Sequence, residues 1–280
     1  MTYPFLKGHG TENDFVLLPD PDGTAHGDLA PDRMAARVQA LCDRHAGIGG
    51  DGVLRLVRTS AVDPAETGGS DAEWFMDYRN ADGSVAEMCG NGTRVFVQYL
   101  RESGRDTGDR ITIATRAGDK TLTFDGADWT VDLGEATLLG ETEVGVGHYT
   151  WPAQHVSMGN PHAIAFVDSL DPHGPVGSLL EAPDHDAAVY PEGVNVEFVA
   201  RVGERHVAMR VHERGVGETR SCGTGAGAVG VAAMIGDGAI APATYVVDVP
   251  GGRLRVTWTT AGRVLLTGPA LIVAAGETDL

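Results

Sequence analysis

One stretch of this chain occurs twice, and that repeat constrains the fold more than any other feature. Sliding the sequence by 133 positions (222 − 89) without a gap lays Trp74–Gly92 (WFMDYRNADGSVAEMCGNG) on Val207–Gly225 (VAMRVHERGVGETRSCGTG). Met76 falls on Met209, Cys89 on Cys222, Gly90 on Gly223 and Gly92 on Gly225. Each copy reads as a strand pair, a polar loop, Cys-Gly-x-Gly and then a helix, so the spacing predicts two like halves. With a shorter loop allowed in the second half, Gly52 and Val53 fall on Asn195 and Val196. Further upstream, Asn13 in Glu-Asn-Asp-Phe can be laid on Asn160 in Gly-Asn-Pro-His.

Short β-like runs recur along both halves, among them Asp14–Leu18, Gly52–Arg58, Trp74–Tyr78, Ala163–Val167, Val194–Val199, His206–His212 and Arg253–Thr259. Asp-Gly, Ala-Gly and Pro-Gly-Gly turn signals separate them. Three helices interrupt the strands. The first is expected over about Pro31 to His45, capped by Asp28 or the residues after it, with Met34, Val38, Leu41 and Cys42 on one face. The second is expected over about Thr93 to Arg101 and the third over about Ala226 to Ile235. The third has no polar face, which marks a buried helix. Ala61 to Ala72 and Asp171 to Gly193 read as irregular surface connections.

A cysteine at a helix N-terminus faces the positive end of the helix dipole and unpaired N–H groups, which is expected to draw its pKa from about 8.5 towards neutrality. The glycines beside it let backbone N–H groups meet an anion such as an α-carboxylate. Two such thiols, on opposite sides of one small molecule, suit the inversion of a tetrahedral carbon: one thiolate takes a proton from one face and one thiol supplies a proton to the other. Gly90, Asn91, Gly223 and Thr224 would hold the carboxylate and absorb carbanion charge. Cys42, on the apolar face of the first helix, reads as a packing residue.

Composition excludes several alternatives. With 21 basic and 39 acidic side chains the formal charge is −18, which disfavours a nucleic-acid partner. Lys7 and Lys120 are the only lysines, so Schiff-base chemistry with pyridoxal phosphate has just two possible positions. Three cysteines suit neither a disulfide framework nor a four-cysteine zinc site, and none of the ten histidines pairs with a cysteine at zinc-like spacing. No leader-like start and no apolar run near the ~20 residues of a membrane span is present, so a cytoplasmic location and no membrane partner are expected.

The chain resembles the diaminopimelate epimerase family at His9–Phe15, Arg79–Ser84 running into Met88–Arg94, Met158–His162, Val194–Val196, Glu213–Gly215, Glu218–Thr219 and Cys222–Gly225. The resemblance implies an α+β fold of two pseudo-symmetric domains, each a mostly antiparallel sheet curled around a central helix. The first would comprise residues 1–127 with 267–280 and carry Cys89; the second would comprise 128–266 and carry Cys222. Leu271–Ala274 would be a last strand returning to the first domain. The resemblance also implies a homodimer, no cofactor or metal, and interconversion of LL- and meso-diaminopimelate in lysine and peptidoglycan precursor synthesis. Cys89 would donate and Cys222 accept the proton in the LL to meso direction, with the labels exchanged in reverse. Asn13, Asn80, Asn160, Asn195 and Arg214 match the family's substrate-binding positions, with Glu213 alongside Arg214. His162 and Glu213 match residues that tune the thiols.

Two departures stand out. Some relatives carry a substrate-contacting glutamine where this chain has Gly52, and the residue before the second cysteine is often alanine but is Ser221 here. Other readings are a proline or hydroxyproline racemase on the same fold, or a redox-switch or binding protein. Gly225–Gly230 also fits the dinucleotide fingerprint, but no buried strand leads directly into it.

Overall fold

The computed structural model describes residues 2–27 and 29–280. The chain divides into two compact units, Met1–Val131 with Pro269–Leu280, and Asp132–Gly268.

The first unit opens with β1 (Tyr3–Gly10), β2 (Asn13–Pro19), α1 (Pro31–Cys42), β3 (Gly52–Arg58), a four-residue α2 (Pro64–Thr67), β4 (Trp74–Asn80) and α3 (Gly90–Glu102). It continues through β5 (Arg110–Ile113), β6 (Lys120–Phe124) and the start of β7 (Trp129–Glu135). After the second unit the chain returns as β18 (Leu271–Thr278), so one sheet runs β18-β1-β2-β3-β4, with only β2 and β3 parallel. Its middle is covered on both faces. Val16, Leu18 and Val53 pack with Met34, Val38, Leu41 and Cys42 of α1, while Phe15 and Leu54 lie under the first turn of α3. Burial on both faces is why Phe15-Val16-Leu17-Leu18 is a continuous apolar run and not an alternating one. Ala114, just past β5, exchanges backbone hydrogen bonds with Trp74 and Met76 of β4 and carries the strands onward around α3.

The second unit contains β8 (Thr137–Val146), β9 (Tyr149–Ser157), β10 (Pro161–Phe166), β11 (Asp184–His185), β12 (Asn195–Gly203), β13 (His206–Glu213) and β14 (Gly217–Thr219). Then follow α4 (Gly223–Gly236), β15 (Ala243–Val249), β16 (Gly252–Trp258) and β17 (Arg263–Gly268). The strands run β11-β8-β9-β10-β12-β13-β15-β16-β17, with β14 beside β13. Only β10 with β12 and β13 with β15 are parallel. The sheet wraps α4, whose residues from Gly223 to Met234 are buried apart from Thr224. Gly227 and Gly230 permit this: a Cβ there would lie 3.0 Å from Leu133 Cδ1 and 2.5 Å from Val256 Cγ1. Their spacing therefore answers to strand packing, not to a dinucleotide.

Several boundaries differ from the expectation. α1 ends at Cys42 because Asp43 leaves the helical region and its carboxylate accepts from the N–H groups of His45 and Ala46. Its N-cap is Ala30, without a side-chain cap; Asp28 lies outside the described residues. The segment expected as a loop over Ala61–Ala72 contains α2, stopped by Gly68 at φ 61°. α3 and α4 each begin three residues earlier than expected, because the cysteine itself caps a first turn rich in poor helix formers.

Candidate active site

In the first unit, Cys89 has extended backbone angles (φ −137°, ψ 119°) and is the N-cap of α3. Its sulfur accepts from Gly92 N–H at 3.4 Å, and the thiol donates to Asn13 Oδ1 at 3.7 Å. Asn13 follows a two-residue turn in which both Thr11 (φ 50°) and Glu12 (φ 61°) are left-handed without being glycine, a conformation tolerated where a site is being shaped. The Asn13 amide is fixed at both ends. Its Nδ2 donates to Asp51 Oδ2 at 2.7 Å, and its Oδ1 also accepts from Asn91 Nδ2 at 3.1 Å.

Behind Asn91 lies Arg94, with no exposed surface. It donates to Asn91 Oδ1 at 2.8 Å and to the Gly90 carbonyl at 3.3 Å. Burial lowers the guanidinium to about 10, against the attraction of charge on Cys89 and Asp128. Cys89, Gly90, Asn91 and Asn13 are thus brought together over a buried cation.

Asn80 lies at the end of β4 opposite Gly52. Its Oδ1 accepts from the Tyr78 hydroxyl and its Nδ2 donates to Ser84 Oγ, each at 3.0 Å. A Cβ at Gly52 would meet the Arg79 carbonyl at 2.5 Å and Tyr78 Cε2 at 2.8 Å. The Tyr78 ring and the β4 backbone therefore fill the space that a glutamine at this position needs.

In the second unit, Cys222 (φ −118°, ψ 119°) caps α4 in the same way, its sulfur accepting from Gly225 N–H at 3.4 Å. Thr224 Oγ1 lies 3.6 Å from the sulfur and receives Asn160 Nδ2 at 3.4 Å. Asn160 Oδ1 is 3.1 Å from His162 Nε2, and His162 Nδ1 is 2.6 Å from Glu197 Oε1. Asn195 ties three elements together: Nδ2 donates to the Pro161 carbonyl at 3.1 Å, and Oδ1 accepts the Arg214 N–H at 3.0 Å. Arg214 itself is exposed at the β13–β14 turn, where Nη1 donates to the Glu192 carbonyl. Thr219 donates to Glu213, which fixes that carboxylate on the turn leading to Cys222.

The second thiol departs from the expectation that a helix N-terminus lowers its pKa. Burial pushes Cys222 well above the ordinary value, and the Glu213 and Glu197 carboxylates push it further. The bonds from Thr224 and Gly225 N–H oppose this without reversing it. Burial and two carboxylates outweigh the two hydrogen bonds at the sulfur. Cys42 is a packing residue of α1, its thiol raised by burial to about 11.

Three residues of this geometry were not anticipated. Arg94 was open to detection, since Asn91 and Arg94 share a helix face at i, i+3. Asp51 and Glu197 were not, because their partners are distant in sequence. Among the described residues no group of His, Cys, Asp and Glu could hold a metal ion, and no helix is long and apolar enough to cross a membrane.

Solved structures share this architecture. The phenazine biosynthesis protein of the PhzF family from Bacillus anthracis superposes with a TM-score of 0.77 at 17% identity over 100% of both chains. A hydroxyproline epimerase from Agrobacterium vitis gives 0.66 at 14% identity, covering 99% of this chain and 92% of that one. At such identities the likeness shows the fold alone, which both proteins share with this chain. Sequence narrows it further: the diaminopimelate epimerase profile matches residues 5–139 and 154–273. The diaminopimelate epimerase of Streptomyces coelicolor is 57% identical, covering 98% of this chain and 95% of that protein. That of Mycobacterium tuberculosis is 47% identical, covering 98% and 96%. The chain belongs to the diaminopimelate epimerase family.

Proposed function

We propose that this chain is an isomerase that interconverts LL- and meso-diaminopimelate, with Cys89 and Cys222 moving the proton at one Cα. A thiolate takes the Cα proton: the C–H bond breaks, an S–H bond forms, and the electron pair spreads into the α-carboxylate. The other thiol then gives its proton to the opposite face of the carbanion and is left as thiolate. Gly90, Asn91, Gly223 and Thr224 take the carboxylate at the first turns of α3 and α4, where oriented N–H donors meet the growing charge. Asn13, Asn80, Asn160, Asn195 and Arg214 bind the substrate, amides and one guanidinium suiting its distal carboxylate and ammonium. His162 and Glu213 tune the thiols.

The observation that carries this reading is that two N-capping thiols in matching geometry have different charged groups beside them. Each sulfur accepts the N–H three residues on at 3.4 Å. Arg94 backs Cys89, whereas Glu197 and Glu213 face Cys222. A two-base inversion needs one thiolate and one thiol at the start. With Cys89 as donor and Cys222 as acceptor from LL to meso, a protonated Cys222 belongs to the form that takes up meso substrate. Turnover leaves the other form.

The enzyme acts in the cytoplasm, as a homodimer, with no cofactor. A reducing compartment keeps its thiols in the state the reaction uses, and Leu271 and Val273, exposed on the outermost strand β18, offer an apolar edge for a second copy. Deuterium exchange at Cα of LL-diaminopimelate in D₂O tests the mechanism in the parent, Cys89→Ala and Cys222→Ala. Both variants are expected to lose epimerisation, and full activity in either one overturns the two-thiol reading.

A further inference from the structure

Among the places where the two halves differ is one buried pair. The correspondence of Asn13 with Asn160 and Gly52 with Asn195 agrees with the strand registers. Phe15 is paired with Gly52 in the parallel β2–β3 ladder as His162 is with Asn195 in β10–β12. Leu54 faces Tyr78 as Glu197 faces Val211, again 133 residues on. Phe15 thus corresponds to His162 and Leu54 to Glu197, and none of the four has exposed surface. Under α3, a Cβ on Gly92 would meet Leu54 at 3.2 Å and Phe15 at 3.6 Å; under α4, a Cβ on Gly225 would meet Glu197 Oε1 at 2.6 Å.

An aromatic–aliphatic pair in one half is therefore an imidazole–carboxylate pair in the other. Packing does not ask for it, since Phe and Leu fill the equivalent place, and burying such a pair carries a desolvation penalty. What the polar pair adds is a continuous line of contacts, Glu197 to His162 to Asn160 to Thr224 to Cys222. With both ring nitrogens protonated, Nδ1 donates to the Glu197 carboxylate and Nε2 to Asn160 Oδ1. That fixes the amide so that Nδ2 points at Thr224, beside the thiol.

We propose that Glu197 is a positioning residue for Cys222: it locks His162 against Asn160 and makes the second thiol the proton-bearing member of the pair. The proposal rests on the two-thiol reading above. Glu213 of β13 and Glu197 of β12 face Cys222, with Thr224 and the Gly225 N–H from α4. His155 of β9 lies near His162, and Tyr190 lies near Glu197.

The thiolate is the form that alkylates, so iodoacetamide labelling over a range of pH, read peptide by peptide by mass spectrometry, reports each cysteine separately. In Glu197→Gln the Cys222 profile is expected to move to lower pH, with a several-fold faster reaction at neutral pH. Cys89 should keep its parental profile, and buried Cys42 should stay unreactive as a reporter of intact folding. An unchanged Cys222 profile overturns the proposal. If Cys42 becomes reactive, the double variant His162→Phe, Glu197→Leu takes over, since it copies Phe15 and Leu54. There the Cys222 profile should converge on that of Cys89. An unshifted profile, or a double variant that also unfolds, assigns the pair to packing and overturns the proposal. Labelling uses no substrate, so a parent chain that fails to epimerise diaminopimelate would refute the functional reading and leave this result legible.

Discussion

His162 Nδ1 lies 2.6 Å from Glu197 Oε1 in a part of the second unit where neither side chain reaches solvent. The pair sits directly under the first turn of α4, and the second glycine of Cys-Gly-x-Gly is what lets the carboxylate come so close. A Cβ on Gly225 would be 2.6 Å from Oε1 and 3.3 Å from the Cys222 sulfur, all within an enclosed site. Replacing a helix glycine by alanine favours the helix by up to about 1 kcal/mol, but overpacking a rigid site costs about 1–3 kcal/mol. Gly225→Ala is therefore expected to be destabilising. Gly92→Ala meets the flexible end of Leu54 at 3.2 Å, with Cys89 Cβ at 3.4 Å and Phe15 at 3.6 Å in ordinary contact, and should be close to neutral. Urea midpoints of the two variants check this, and equal losses would contradict it.

The repeat made much of this readable in advance. Cys89 and Cys222 announce themselves by identical flanks, and Gly52–Arg58 is a strand because its apolar β-branched run fits a sheet covered on both faces. β8 and β9 were missed for the opposite reason. Most of β8 is exposed and polar, so nothing in its pattern separates it from a loop until β9 pairs with it. Glu197 was hidden because its meaning depends on β10 lying parallel beside β12, with His162 and Glu197 35 positions apart in sequence. The pKa of Cys222 failed for a related reason. A helix terminus is local and visible in sequence, whereas the burial and the two carboxylates that raise the thiol are tertiary.

Arg94 should matter to the first thiol as Glu197 does to the second. Arg94→Met removes the charged donor to Asn91 Oδ1, at a cost of about 1–3 kcal/mol, while the Gly90 carbonyl loses one donor and keeps the Thr93 hydroxyl. Turnover should fall with it, because Asn91 and Asn13 lose their fixed orientation beside Cys89. Lysine supplies the charge without the planar fork and should restore stability better than turnover. Urea unfolding with steady-state epimerase assays on the Met and Lys variants tests this; parental turnover in Arg94→Met would refute the assignment.

Cys42 provides a contrast. It is buried on α1 against the sheet, and burial raises its thiol to about 11, so little thiolate forms at neutral pH. Cys42→Ala should lose about 1 kcal/mol of stability through a small cavity and leave epimerase activity unchanged. A large fall in turnover with a parental melting curve would give this thiol a chemical part.

His26 makes stability depend on pH well away from either thiol. It is buried, packs edge-on to Tyr3 at 4.7 Å, and meets Arg37 Nη1 at 3.0 Å through Nδ1. Burial lowers it to about 4; Asp20 pulls it back up, and Arg37 and Arg55 push it further down. The unfolded chain has an ordinary histidine near 6.5, so between about pH 6.5 and about 4 the unfolded state takes up a proton that the folded state refuses. The contribution is complete above the unfolded value and is lost as pH falls through that window, by roughly 3 kcal/mol at most at ~1.4 kcal/mol per unit. Asp14 does not confuse the measurement. Burial would raise its carboxyl, but hydrogen bonds from Arg44 and Lys7 hold it far below the carboxylate range, so its contribution disappears only at lower pH. Urea unfolding at stepped pH should show the slope in the parent and a shallower line in His26→Phe, which keeps a ring against Tyr3; His155 and His212, also lowered by burial, supply slope that remains. The same slope in both would assign the acid sensitivity elsewhere.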